Sequence, residues 1–100
     1  FGLIYNLDGS IPLHLATEKG HKQVVQRLLE KGDGIDECDI DGNTPLHIAA
    51  KKGYFELVME FLERRASITI ANNDGDHPLH LAAQNGCKEI VEFLLDCGAD

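Results

Sequence analysis

The chain has 100 residues, 43% of them hydrophobic, and a formal net charge of −8. That apolar content suits one folded domain, and the acidic balance argues against binding DNA or RNA through their phosphates. No apolar run approaches the roughly 18 residues a membrane span needs, and no secretory leader is visible.

Landmarks return at a fixed interval. Pro12, Pro45 and Pro78 stand 33 residues apart. Asp8-Gly9, Asp41-Gly42 and Asp74-Gly75 precede them, and Gly20, Gly53 and Gly86 follow. The apolar pairs Val24-Val25, Leu57-Val58 and Ile90-Val91 keep the step, as do Leu28-Leu29, Phe61-Leu62 and Leu94-Leu95. A strict period of this length marks a repeat array, whose units bury surface by stacking on neighbours. The core Thr44-Pro45-Leu46-His47-Ile48-Ala49-Ala50, echoed at Ile11–Ala16 and His77–Ala83, resembles the ankyrin repeat. The resemblance covers nearly the whole chain. It implies an all-α repeat fold: an ankyrin-type α-solenoid of stacked helix-turn-helix units joined by β-hairpin finger loops.

In chain order, residues 1–7 align with 34–40 and 67–73, the segments leading from one repeat into the next. They read as the tail of a preceding repeat. Three repeats follow, at 8–40, 41–73 and 74–100, the last truncated before its next finger. In each, Asp-Gly supplies a turn, because glycine tolerates positive φ and aspartate braces the backbone. A first helix starts at the proline, whose missing N–H has no partner to lose there. Thr44 is a good N-cap, Leu46, Ala49 and Ala50 give an apolar face, and Gly53 ends the helix. A second helix runs from about Phe55 to Arg64, with Leu57, Val58, Phe61 and Leu62 as one broad stripe. Gly32 and Gly98 cap its counterparts. Ile90, Val91, Leu94 and Leu95 carry no polar replacement, although a terminal cap needs a polar outer face. The chain begins at Phe1 without a methionine. The expectation is therefore a piece of a longer array.

Several positions depart from the pattern. Ile11 and His77 replace the Thr44 cap; isoleucine cannot accept a helix N–H, at a cost of about 1 kcal/mol. Arg65 occupies a glycine cap position, where left-handed backbone costs roughly 1–2 kcal/mol. Asp33-Gly34 replaces the usual Ala-Asp and loosens one turn between repeats.

Little in the sequence points to chemistry. His14, His47 and His80 share one register, so the array translates them into a ladder and does not gather them round a metal. In ankyrin repeats this histidine ties its own turn to the neighbouring loop. The runs at Glu37–Gly42 and Asn72–Asp76 fail the calcium-loop pattern: counted from each glycine, Ile48 falls on the closing ligand position of one and Ile70 on the first of the other. No nucleophile elbow, phosphate loop or HExxH occurs. Cys38, Cys87 and Cys97 form no CxxC and read as reduced thiols of a cytoplasmic or nuclear protein. No catalytic, cofactor or metal residue is assigned.

What remains is surface. In ankyrin proteins partners meet the concave side, made of finger tips and first helices. By register the partner-binding positions are Leu7, Ser10, Glu18, Lys19, Ile40, Asn43, Lys51, Lys52, Asn73, Asp76, Gln84 and Asn85. Leu7 and Ile40 are apolar residues at exposed tips, while Asp8, Asp41 and Asp74 read as turn formers. The expected function is a non-catalytic scaffold for a partner protein, with charge weakly favouring a basic patch on it. Neighbouring repeats of the parent chain are further partners; nucleic acid and membrane insertion are not expected. The alternatives are a spacer or spring in a longer array, such as the cytoplasmic part of a channel, and an accessory region of a larger enzyme.

Overall fold

The structure is a computed structural model that describes residues 11–32 and 34–99. It contains six helices: α1 (Pro12–Glu18), α2 (Lys22–Glu30), α3 (Pro45–Lys52), α4 (Phe55–Glu63), α5 (Pro78–Gln84) and α6 (Lys88–Asp96). None exceeds nine residues, too short to be stable alone in water, so packing must supply their stability. Residues 1–10, 33 and 100 lie outside the described part. The proposed preceding-repeat tail, Leu7, Asp8, Ser10 and Asp33 fall there.

The helices form two layers. In the inner layer α3 packs against both α1 and α5; in the outer layer α4 touches α2 and α6. Ala49, Ala50 and Ala82 are fully buried, and their small side chains let the inner helices approach closely. Leu13, Leu46, Val58, Phe61 and Leu94 are fully buried with them. Phe55 meets Phe93 edge to face at 5.6 Å, binding α4 to α6. Ile90 and Leu94 belong to this core, whereas Leu95 is 48% exposed.

Proline opens α1, α3 and α5 as expected. The Thr44 hydroxyl accepts the His47 N–H at 3.3 Å, forming the expected cap. Ile11 and His77 make no side-chain cap. Half of the reciprocal pair survives at these sites: Nδ1 of His14 accepts the Ile11 N–H at 3.0 Å, and Nδ1 of His80 accepts that of His77 at 2.8 Å. What is lost is the half that satisfies the helix N–H, and at His80 that N–H turns instead to the His77 carbonyl at 2.9 Å. His77 also stacks on His80, with ring centres 5.4 Å apart.

The fingers differ from expectation in which residues brace their turns. Among the described residues no strand is formed. Each of the two described fingers, before α3 and before α5, is a tight turn closed by one backbone bond across its neck, Asp39 N–H to Asn43 O at 3.0 Å and Asn72 N–H to Asp76 O at 2.9 Å. The arms beyond it pair too little to make a ladder. The turn is also braced by other residues than the aspartates of Asp-Gly. Oδ1 of Asp39 accepts the N–H groups of Asp41 and Asn43, and Oδ1 of Asn72 accepts those of Asp74 and Asp76. The Asx side chain two residues upstream has the reach to cover these donors, which leaves Asp41 and Asp74 for other roles.

Left-handed backbone falls where the register requires it. Gly32, Gly53 and Gly98 have φ of 85°, 80° and 102°, and Arg65 has φ of 68°. Arg65 thus adopts the glycine conformation with a Cβ attached. Gly42 carries two constraints: its φ is 81°, and a Cβ there would lie 2.7 Å from the Asn73 backbone nitrogen. Gly75 has a similar φ of 83° but open space around it. Two outcomes follow for thermal unfolding. Arg65→Gly removes about 1 kcal/mol of strain and raises the midpoint by several degrees; a lower midpoint would mean the arginine side chain makes a compensating contact. Gly42→Ala lowers the midpoint more than Gly75→Ala, because only the former also pushes on the next finger.

Candidate functional site

The inner helices and finger turns enclose a groove made of two adjoining clefts. The first, about 410 Å³, lies among α1, α3 and the finger before α3, with Glu18, Asp39, Ile48, Lys51 and Lys52 on its walls. The second, about 440 Å³, continues along the next finger past Asn72, Asp74, Asp76 and Gln84. Asp41, Asn43, Lys51 and Leu81 belong to both. The groove is bipolar. Carboxylates stand along the finger side, while Lys51 and Lys52 extend from the end of α3. Among the described residues no carboxylate is within ion-pair distance of either lysine.

Beneath the groove each of two histidines joins its own first helix to the loop that precedes the next first helix. Nε2 of His47 donates to the Asp76 carbonyl at 2.9 Å, and Nε2 of His14 donates to the Glu37 carbonyl at 2.8 Å. A carbonyl only accepts, so Nε2 carries the proton. Nδ1 is then the bare acceptor that receives the N–H of Thr44 or Ile11. Both rings are buried. In register the two carbonyls are not equivalent, since Asp76 aligns with Asn43 and not with Glu37. A turn from Glu37 N–H to Gly34 O at 3.2 Å accompanies the change at the first junction. A Cβ on Gly34 would collide with the Glu37 side chain.

Other links span about one repeat. Asn73 donates its N–H to the Asp41 carbonyl at 2.9 Å and its side-chain amide to the Ile40 carbonyl at 2.8 Å. The Asn72 amide donates to Asn43 Oδ1 at 2.9 Å, and the Asn85 amide to the Lys51 carbonyl at 3.1 Å. On the outer layer, Gln26 and Arg64 hydrogen-bond Glu60, and the Arg64 bond first of all holds that carboxyl below its ordinary range. Sequence reasoning missed these amide locks. A clue was available, because asparagine recurs in the fingers, but nothing local tells a locking amide from a free one.

A family model for ankyrin repeats, in three copies, matches residues 13–100. The chain belongs to the ankyrin repeat family. A comparison with curated protein sequences gave no match. Ankyrin repeats are in general protein–protein interaction modules and are typically non-catalytic.

The expected binding positions of this ankyrin array sort into three groups. Glu18, Asn43, Lys51, Lys52, Asn73, Asp76, Gln84 and Asn85 line the groove. Among them the amides of Asn73 and Asn85, and Oδ1 of Asn43, are occupied at the junctions. Lys19 and Ile40 lie outside the groove walls, both exposed, Ile40 at 62%. Leu7 and Ser10 are outside the described residues. Asp41 and Asp74, set aside as turn formers, also line the groove, and missed altogether were Asp39 and Asn72, together with the apolar floor of Ile48 and Leu81.

No group of three or more metal-binding side chains occurs among the described residues. Among them, too, no helix is long and apolar enough to cross a membrane. Burial, and then Asp39, Glu37 and Asp36, push the Cys38 thiol up, the opposite of what a nucleophile requires. Burial pulls His47 below its ordinary value, outweighing the Asp76 carbonyl, Asp39 and Asp76 that favour its charged form. The unfolded chain then binds a proton at His47 more readily than the folded one. Its contribution to stability is complete above the unfolded value of about 6.5 and is lost as pH falls below it. Chemical denaturation between pH 7.5 and 5 should show wild type losing more stability than His47→Gln over that range. Parallel losses would mean that His47 does not titrate on unfolding.

Proposed function

We propose that this chain is a non-catalytic scaffold that binds a partner protein along the concave surface of its fingers and first helices. The observation that carries this reading is the bipolar groove. Its backbone and amide groups are tied up between repeats, while Glu18, Lys51, Lys52, Asp76 and Gln84 line it with side chains suited to recognition. The junction bonds hold these side chains at fixed spacing, so a partner meets them with little ordering cost. Ile40, an exposed apolar tip beside the groove, adds a desolvating contact at its rim.

The three cysteines are free thiols, which supports a reducing compartment, the cytoplasm or nucleus.

The test is partner recovery by cross-linking and pull-down with folded variants. Ile40→Ser, Lys52→Glu and Asp76→Lys, combined, should reduce recovery of a groove-bound partner at least tenfold, whereas Glu63→Lys on the outer layer should leave it unchanged. Recovery undiminished by the groove changes would sink this reading and favour a spacer role.

A further inference from the structure

We propose that copies of this chain stack on one another, the free side of α5 and α6 in one copy covering the free side of α1 and α2 in the next. This surface lies apart from the groove and does not rest on the reading of it. The two internal junctions show what such a contact requires, because each repeat of an array packs only on its neighbours. At α5 and α6 the same register positions stand open. Thr17 and Ala50 are fully buried, and Ala83, their counterpart, is exposed. Leu29 is 9% exposed and its counterpart Leu95 48%. His14 and His47 are buried, with Nε2 donating across a junction. His80 is exposed, and among the described residues its Nε2 has no acceptor. A Cβ on Gly20 would lie 3.1 Å from the Tyr54 ring, and one on Gly53 3.3 Å from the Cys87 sulfur. Gly86, third in that series, has open space around it.

The side of α1 and α2 carries the matching half. Val24 is 47% exposed, while its counterparts inside the array, Leu57 and Ile90, are 3% and 1% exposed. His21 holds the register position of Tyr54 and Cys87, the side chains that cover a glycine of the preceding repeat. Charge matches as well. The helix pair 11–32 carries four cations against two acids, and the pair 78–98 carries one cation against three acids. One further step of the register puts Glu92 opposite Arg27, where Gln26 meets Glu60 inside the array. Lys88 then falls opposite Gln23, in the place of Lys22 opposite Glu56. A second copy is favoured over an unrelated protein because both halves of a junction stand on one molecule. The contact is heterologous: two different faces meet, so a bound pair still offers one open face at each end.

The test is sedimentation velocity on the 100-residue chain, from low micromolar to submillimolar concentration at low salt, with circular dichroism confirming that each variant is folded. The mean mass should rise with concentration past twice the 11.0 kDa of one chain. Val24→Glu and Leu95→Glu should each weaken association at least tenfold. Mixed together, these two variants should form a species of two chains and nothing larger, because each brings one intact face. Arg27→Glu should weaken association about threefold to fivefold, the scale of an exposed ion pair. Glu92→Arg added to the same chain should restore it, and this pair carries the test should Val24→Glu fail to fold. Chains that stay monomeric at every concentration would overturn the proposal and leave the groove reading untouched. Wild-type association by either apolar-face variant alone would mean that two like faces meet, and would overturn it too. So would a mixture of the two that fails to pair while wild type associates.

Discussion

The hydrogen bonds that cross from one repeat to the next are what the rest of the molecule depends on. Helices of seven to nine residues do not persist alone, and alanine-rich contacts between them bury limited area per residue. Apolar stacking brings the layers together but leaves their relative slide weakly specified. The histidine and asparagine bonds remove that freedom, since each joins a side chain to a particular carbonyl or amide 23 to 33 residues away in the chain. A one-position slip would leave buried imidazole nitrogens without partners, which is costly in a low-dielectric interior.

The same bonds shape the recognition surface. By occupying the finger carbonyls and several finger amides, they leave side chains in the groove as the elements open to variation. The finger turn contributes to this division. Asp39 and Asn72 hold the turn, so the acids at its tip need not. Carboxylates on the finger side and lysines at the end of α3 then face one another across a surface whose geometry is fixed by packing. His47 ties this arrangement to pH, because burial pulls its ring below the ordinary value.

Much of the fold was legible in the residues. Proline at each first-helix start, glycine just past every helix but α4 and the paired apolar positions of the second helix are short-range signals, and the helices follow them closely. Arg65 was legible too, as a residue in a glycine slot. The bracing of the finger turn was assigned to Asp41 and Asp74 and falls to Asp39 and Asn72. Asp-Gly is a strong turn signal, but which upstream Asx side chain reaches the turn's N–H groups depends on the path of the chain into it. The missing caps at Ile11 and His77 were noticed, but not the bond from each N-cap N–H to the histidine three residues on, which all three repeats keep.

The sequence by itself determined the period, the helix boundaries to within about a residue and the buried faces, because these follow from local backbone preferences and from apolar spacing repeated at 33 residues. Tertiary structure alone decided which groove side chains are available. Asn43, Asn73 and Asn85 are spent on neighbours some 29 to 34 residues away, while Asp41 and Asp74 lie along the groove wall. A hydrogen bond between distant residues depends on how rigid units dock, and docking leaves no imprint on the local pattern of either residue.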